Sequence, residues 1–329
     1  MNFISSFFMD VLQLIYGIVG NYGWSVVLFT LLVRFVLLPL DIKSKKGMRA
    51  MNKVQPKIQA LQKKYANDKE KLNMKMQELY KKEKINPMAG CLPMLIQLPV
   101  LWFMFSAMRY LANEHTIEMI LNLRDGEEVV LQSWLWIKNV FQPDSFSASI
   151  LPKVGSQLME IGAVKGTTWL TAENIEAARV FLASEQYASI AASYGATAEN
   201  FMTIPINLLL FQFHLNIPRS FYALTHYANG LFILPVLAGV SQFLTSKLMN
   251  VGSGQQPQQN AQTENNAMNS GFMKWFFPIF SIWICASSNS AFAIYWMAAN
   301  VIQILQTILV NIYFERKDKQ EAQKAMEAP

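Results

Sequence analysis

One arginine stands inside an apolar stretch that is long enough to cross a bilayer. Arg34 lies within residues 22–40, YGWSVVLFTLLVRFVLLPL. A guanidinium at the centre of a membrane helix costs about 2.5–3.5 kcal/mol on insertion scales, so we expect it to face protein or water and to hold polar groups by its charge. The alternative is a snorkelling arginine. At about 1.5 Å per helical residue, Lys43 is roughly 13 Å away, which a side chain hardly spans.

Residues that support covalent or metal chemistry are sparse. The two cysteines, Cys91 and Cys285, have no partner at metal or disulfide spacing, and we expect both to be small packing residues. The three histidines do not form a ligand cluster, and no phosphate loop, HExxH or GxSxG motif is present. We therefore predict a protein that is not an enzyme and that uses no metal or cofactor.

Composition predicts an all-α integral membrane protein. Hydrophobic residues make up 52% of the chain and charged residues 15%, and the apolar residues are gathered into runs of membrane-spanning length. We predict five transmembrane helices, over residues 22–42, 91–112, 230–248, 272–288 and 291–313. The sequence SSNSA (287–291) indicates a tight turn between the last two. The apolar run 204–217 is too short to span, and we expect it at the membrane interface or in an outer domain.

The distribution of charge predicts the orientation. Residues 43–84 carry fourteen Lys and Arg against four acidic residues, a net charge of +10, whereas residues 113–229 carry six against eleven, a net charge of −5. By the positive-inside rule the first segment is cytoplasmic. With five spans, the N-terminus lies outside and the tail, 314–329, lies in the cytoplasm.

The first residues predict a helix ahead of the first span. Apolar side chains recur at helical spacing within residues 1–21, which is typical of an amphipathic helix in the outer interface. A helix that simply packs on the bundle fits the pattern equally well. Because no Lys or Arg precedes Arg34, we expect no cleaved signal peptide.

Residues 43–90 predict a cytoplasmic helical hairpin. An apolar stripe runs through Val54 and Ile58, turn residues come next at Asn67 and Asp68, and the stripe then resumes. Its lysines, Lys53 and Lys57 among them, are either a solvated face or contacts for anionic lipid headgroups or ribosomal RNA.

Several of these motifs resemble one known family. The string KVQPKIQALQKKY, followed by INPMAGCLPMLIQLP and late in the chain by AIYWMAANVIQILQ, is similar to the YidC/Oxa/Alb membrane protein insertases, in particular their five-span type. The similarity covers residues 3–152 and 230–315. It implies a five-helix core around a water-filled groove that is open to the cytosol and to lipid and closed toward the outside.

The resemblance also assigns roles to individual residues. Arg34 matches the arginine of the groove and Thr30 a polar position one helical turn before it. The other implied groove residues are Gln97, the aromatic pair Tyr295 and Trp296, and the polar stripe of Asn300 and Gln303. For Asn and Gln the alternative is hydrogen bonding between helices, which is common in membrane bundles.

Two features depart from the family pattern. Where the third span often carries glutamine near its cytoplasmic end, this chain has Thr245 and Ser246, with Gln242 one turn earlier, so we expect the groove lining to shift to these positions. Within the outer loop, 113–229, residues 153–230 look like an insertion. TAEN occurs there twice, at 171–174 and 197–200, and both copies predict capped helices in a small helical outer domain. A polar linker is predicted at 249–271.

The resemblance implies a chaperone that inserts nascent membrane proteins without hydrolysing nucleotide. Four methionines of the hairpin offer an adaptable apolar surface for a client: Met48, Met51, Met74 and Met76. The Sec translocon, the ribosome and membrane lipids are the further partners that the resemblance suggests, with no sequence-specific nucleic acid. A solute transporter or channel is the alternative, although five unequal spans show no inverted repeat.

Overall fold

The computed structural model describes residues 3–86, 92–153, 169–208, 211–252 and 271–327. In these ranges the chain is mostly helical, with one pair of strands. The helices are α1 Phe3–Val19, α2 Tyr22–Lys64, α3 Lys69–Lys82, α4 Leu92–Asp125, α5 Ala172–Leu182, α6 Glu185–Ser193, α7 Phe221–His226, α8 Ile233–Gly252, α9 Gly271–Ser287 and α10 Ser290–Glu327. Cys91 and most of the predicted linker lie outside the described residues.

Two of the described helices are long and apolar enough to cross a membrane. They are Tyr22–Lys64 and the part of α10 from Ser290 to Glu321, and shorter apolar helices occupy Ile4–Val19, Ile233–Leu248 and Trp275–Ser287. The predicted five-span topology goes beyond this finding and stays a prediction.

Three helices run well past the predicted span limits. α2 continues from the predicted first span to Lys64 through Pro39 and Pro56, so the span and the first hairpin helix are one element. α4 extends to Asp125 instead of 112, and α10 extends to Glu327 instead of 313. The apolar pattern marks where hydrocarbon would end, whereas Lys, Glu and Gln sustain a helix equally well in water.

The chain divides into two compact units. The first contains Met1–Thr30, Leu101–Val240 and Phe277–Ala298, and the second contains Leu31–Val100, Ser241–Phe276 and Ala299–Pro329.

In the first unit, α1 has a packed face and an exposed face. Met9 and Leu12 are buried, whereas Phe7, Leu14 and Ile18 are exposed. The packed side is fixed by aromatic contacts, with the Phe8 and Phe29 rings 5.5 Å apart and the Tyr16 and Tyr22 rings stacked at 3.8 Å. The two alternatives for this helix are therefore compatible: it packs on its neighbours and still presents an apolar stripe.

A buried aspartate anchors the start of α8. One carboxylate oxygen of Asp144 accepts hydrogen bonds from the backbone N–H groups of Leu231 and Phe232, at 2.8 and 3.1 Å, and the other accepts from Leu234 at 2.6 Å. A Cβ at Gly230 would lie 2.0 Å from the same carboxylate, so only glycine fits there. Phe232 has a φ of 64°, which is strained for an L-residue. Asp144 thus holds the chain at the point where α8 begins.

The inserted region is only partly helical, which corrects the prediction of a helical outer domain, while the chain as a whole is mostly helical as predicted. Thr171 caps α5 as expected, accepting a hydrogen bond from the N–H of Asn174, and Ala178, Phe181 and Leu182 form its buried face. The second TAEN instead precedes strand β1, Phe201–Leu208, which pairs antiparallel with β2, Phe211–Pro218.

The second copy fails as a helix signal because the residues after it favour a strand. Thr197 accepts from the N–H of Asn200 at 3.3 Å, so the cap chemistry is present but serves a turn. The next residues are FMTIP, in which Thr203 and Ile204 are β-branched and Pro205 cannot continue a helix. The apolar run 204–217 lies almost wholly in these two strands, with Thr203 hydrogen-bonded across to Asn216 at 2.9 Å.

In the second unit, α2 and α3 form the predicted hairpin. Asp68 is the N-cap of α3 and accepts from the N–H of Lys71, as the turn residues indicated. Val54 and Ile58 of α2 are buried, whereas none of the α3 residues is. Lys57 binds Glu83 at 2.5 Å, and this hydrogen bond and charge lower the pKa of the Glu83 carboxyl. The Lys57–Glu83 pair therefore joins the end of α3 back to α2, while no residue of α3 is buried.

Candidate functional site

Arg34 points into protein and not toward the end of its helix. Its side chain is 7% exposed, and one guanidinium nitrogen, Nη1, donates a hydrogen bond to the Oε1 atom of Gln303 on α10. Gln306, one turn further along α10, donates from Nε2 to the backbone carbonyl of Arg34 at 3.3 Å. The guanidinium is engaged beside its own helix position, which favours the buried site over the snorkelling alternative.

Two more charged side chains of α2 are buried in this unit, and sequence reasoning missed both. Asp41 is 6% exposed and Lys45 is 8% exposed. They follow Arg34 by seven and eleven residues, so all three lie on one face of the helix. This spacing was the signal that could have found them. The change of composition concealed it, because Lys45 looked like part of the solvated +10 run and Asp41 stood at the end of the predicted first span.

The polar stripe of α10 joins residues of α2 and α8. Asn300 is 9% exposed and donates from Nδ2 to the hydroxyl of Ser241 on α8, at 3.3 Å. For Asn300 the structure therefore shows the hydrogen bond between helices that was the alternative role. The stripe continues beyond Gln303 to Gln306, whose Oε1 is buried without a partner in the described residues. Continuing the steps of three and four along α10 would have found Gln306.

Other predicted residues of this unit are less directly engaged with Arg34. The hydroxyl of Thr245, which is buried, donates to the carbonyl of Ser241 within α8 at 2.9 Å. Gln97 and Gln242 are half-buried. These amides and hydroxyls supply polar surface on α4 and α8.

Three predicted residues belong to the first unit. Thr30 is 1% exposed, and its hydroxyl donates to the carbonyl of Val26 at 2.7 Å, so it is satisfied within α2. Tyr295 is buried, and Trp296 packs near Phe280 and Phe292, with ring centroids 6.5 and 5.8 Å away. The indole N–H of Trp296 is buried and has no acceptor among the described residues. The aromatic pair therefore packs largely as core.

The hairpin presents the predicted contact residues to different degrees. Met74 on α3 is 51% exposed, whereas Met48, Met51 and Met76 are half-buried. Lys53 is exposed, and Lys57 is also exposed although it pairs with Glu83. Arg49 is held differently: it binds Asp318 of α10 at 3.1 Å and stacks over Phe314 at 5.0 Å.

The chemistry available at this site is electrostatic. Within the described ranges no three His, Cys, Asp or Glu side chains are grouped to hold a metal ion. Cys285 is buried, as expected of a packing residue. The cluster instead offers a guanidinium and several amides between helices, which can exchange hydrogen bonds with a polar group brought to the same depth.

The comparisons with known proteins identify the family. The family model described as 60Kd inner membrane protein matches residues 14–319, nearly the whole chain. Among curated proteins, "Membrane protein insertase YidC" of Fusobacterium nucleatum is 44% identical over 108 residues, covering 33% of this chain and 53% of that relative. The protein of the same name from Legionella pneumophila is 49% identical over 98 residues, covering 30% of this chain and 18% of the relative.

A longer but weaker match extends the similarity. "Membrane protein insertase YidC" of Endomicrobium trichonymphae is 33% identical over 157 residues, which cover 46% of this chain and 27% of the relative. The matched segments thus span about half of the Fusobacterium protein and much less of the other two. Because the family model covers nearly the whole chain, this protein belongs to the 60Kd inner membrane protein family, the YidC/Oxa/Alb family that its motifs resemble.

Proposed function

We propose that this chain inserts nascent membrane proteins into the bacterial cell membrane through a hydrated groove that opens to the cytosol and carries positive charge. The observation that carries the proposal is Arg34, a guanidinium 7% exposed in an apolar helix and bound to a neutral amide, Gln303. The name of the relatives, membrane protein insertase, supports the same function.

Arg34 holds Gln303 through a charge-assisted hydrogen bond, because the guanidinium is ionised, and such a bond contributes about 1.5–3 kcal/mol. A client carboxylate adds an opposite charge, which attracts the guanidinium by about 4 kcal/mol at about 4 Å and an effective dielectric constant of about 20. A client carboxylate can therefore replace Gln303 as a partner of Arg34 at a net gain. The amides of Gln303 and Gln306 then remain available for the polar backbone of the client.

The groove lowers the barrier that the outer segment of a client meets. A polar group moved into hydrocarbon without a partner costs about 4–8 kcal/mol. Side chains that accept or donate at membrane depth reduce this cost, and we assign Gln97, Gln242, Thr245 and Asn300 to the groove wall. The outer segment of the client then has to cross only the outer part of the bilayer.

The energy for insertion comes from the client and the membrane potential. Burial of the client's apolar helix in lipid is favourable, and the potential contributes about 2.3 kcal/mol per charge for each 100 mV. No covalent step and no nucleotide are required. With its N-terminus outside and its tail in the cytosol, the protein presents the hairpin, with Met74 and Lys53 exposed, to clients, ribosome and lipid headgroups.

Reconstitution tests the proposal. Liposomes that contain the purified chain should integrate a small hydrophobic client, seen as a protease-protected fragment, without added nucleotide, and empty liposomes should give much less. The same vesicles should not release a trapped small solute faster than empty ones. Solute flux without client integration would instead establish a transporter or channel.

A further inference from the structure

Helix α2 carries three buried charged side chains, Arg34 and two that follow it. Arg34, Asp41 and Lys45 are 7%, 6% and 8% exposed. Together they carry one net positive charge. The lysines on either side, Lys43 and Lys46, are exposed, so burial separates this group from the rest of the basic segment.

Helix geometry places the three groups in one row. At 100° per residue, positions seven and eleven residues after Arg34 return to within about 20° of its direction. Asp41 lies about 10 Å and Lys45 about 16 Å further along the helix axis. The row therefore places a carboxylate between two cationic side chains on one face of the helix.

Asp41 and Lys45 each have a buried polar atom that no hydrogen bond among the described residues satisfies. The Oδ2 atom of Asp41 and the ammonium nitrogen of Lys45 are both buried without a hydrogen-bond partner in that part of the chain. A buried charge that is not fully paired acts over a long range, because little solvent screens it. Its effect therefore reaches any charged group that approaches Arg34.

We propose that Asp41 and Lys45 are specificity-determining residues, which set the net charge of the groove and so decide how strongly it favours acidic over neutral and basic client segments. The inference rests on the insertase function proposed above. Asp41 limits the preference for acidic clients that Arg34 and Lys45 create, and it keeps the groove from retaining such clients.

The size of the effect is given by Coulomb's law. One unit charge about 10 Å from a client carboxylate, at an effective dielectric constant of about 20, changes the relative insertion of that client roughly ten-fold. Asp41→Asn raises the net charge of the row to two, Lys45→Gln lowers it to zero, and the double variant returns it to one.

The experiment measures initial insertion rates into liposomes of one client in three forms, whose outer segment carries one Glu, one Gln or one Lys at the same position. The readout is the acidic-to-neutral ratio for each variant, which cancels differences in the amount of folded protein. Asp41→Asn should raise the ratio roughly ten-fold, Lys45→Gln, which removes a charge about 16 Å from Arg34, should lower it roughly six-fold, and the double variant should bring it back to within about three-fold of the wild-type value. The Lys client should respond in the opposite direction.

Lys46→Gln is the matched control, since it removes an exposed charge next to Lys45 and should leave the ratio unchanged. If the Asp41→Asn protein does not accumulate in the membrane, the lower acidic-to-neutral ratio predicted for Lys45→Gln still tests the inference. Equal ratios in wild type, Asp41→Asn and Lys45→Gln, with normal insertion of the neutral client, would overturn the inference. Failure of the wild-type protein to insert even the neutral client would instead refute the proposed function.

Discussion

Replacing Asp144 with asparagine should destabilise the fold without touching the groove. Asp144 is fully buried and accepts three backbone N–H groups around the first turn of α8. An asparagine keeps one oxygen, which can still accept from Leu231 and Phe232. Its amide nitrogen cannot accept from Leu234, whose N–H is one of the donors that a helix start leaves without an internal partner.

The expected loss combines two contributions. A hydrogen bond to a charged group contributes about 1.5–3 kcal/mol, and a negative charge at a helix N-terminus about 0.3–1 kcal/mol, or up to about 2 kcal/mol when partly buried. We expect Asp144→Asn to lower the free energy of unfolding by about 2–4 kcal/mol. Asp144→Ala should cost more, because all three N–H groups would lose their acceptor.

Equilibrium unfolding in mild detergent, followed by tryptophan fluorescence, measures this difference. Asp125→Asn is the matched control, because Asp125 is exposed and pairs only with the neighbouring Arg124 at 2.7 Å, so its unfolding midpoint should not move. An Asp144→Asn protein that unfolds within about 0.5 kcal/mol of wild type would refute the anchoring role, since surface substitutions alone produce changes of that size.

Three further predictions concern topology and the hairpin. Cysteines placed at Lys64 and Glu185 should be labelled from opposite sides of the membrane, Glu185 from outside; labelling of both from one side would exclude the five-span arrangement. Replacing α3, Lys69–Lys82, with a short Gly-Ser linker should impair insertion but leave the folded amount unchanged, because none of its residues is buried; normal insertion would show that α3 is dispensable. Because Lys57 lowers the pKa of Glu83, the contribution of this pair to stability should be present above the ordinary Glu pKa of about 4.3 and be lost as the pH falls through the lowered pKa. Carbon NMR of the Glu83 carboxyl should show a higher pKa in the Lys57→Gln protein. An unchanged pKa would contradict the contact.

Sequence patterns predicted the helices and part of the site. The turn at Asp68, the cap at Thr171 and the buried Cys285 were all predictable, because each depends on local spacing or composition. Arg34 was conspicuous because a charge in an apolar run has few satisfactory surroundings. Its contact with Gln303, 269 positions away in the chain, required the family resemblance to suggest that both line one groove.

The features that were missed depend on distant parts of the chain. Nothing near Asp144 in the sequence indicates that it anchors α8 some 90 residues later. Asp41 and Lys45 needed a test of helical spacing across the predicted membrane boundary, where the composition changes from apolar to basic. The strand pair was missed because a Thr cap looks the same before a helix and before a turn, and only the residues after it decide.

Substitution of Arg34 tests the proposed role of its positive charge most directly. Insertion of clients with acidic outer segments should be measured together with folded protein in the membrane for Arg34→Lys, Arg34→Ala and Arg34→Glu, with the exposed Arg316→Ala as control. If charge is what matters, lysine keeps most of the activity, alanine loses it and glutamate loses more, while the control is unaffected. If the Arg34→Lys protein is as unstable as the Arg34→Ala protein, Arg34 acts through the geometry of its hydrogen bonds. A stably folded Arg34→Ala protein that inserts every such client at the wild-type rate would contradict the electrostatic role.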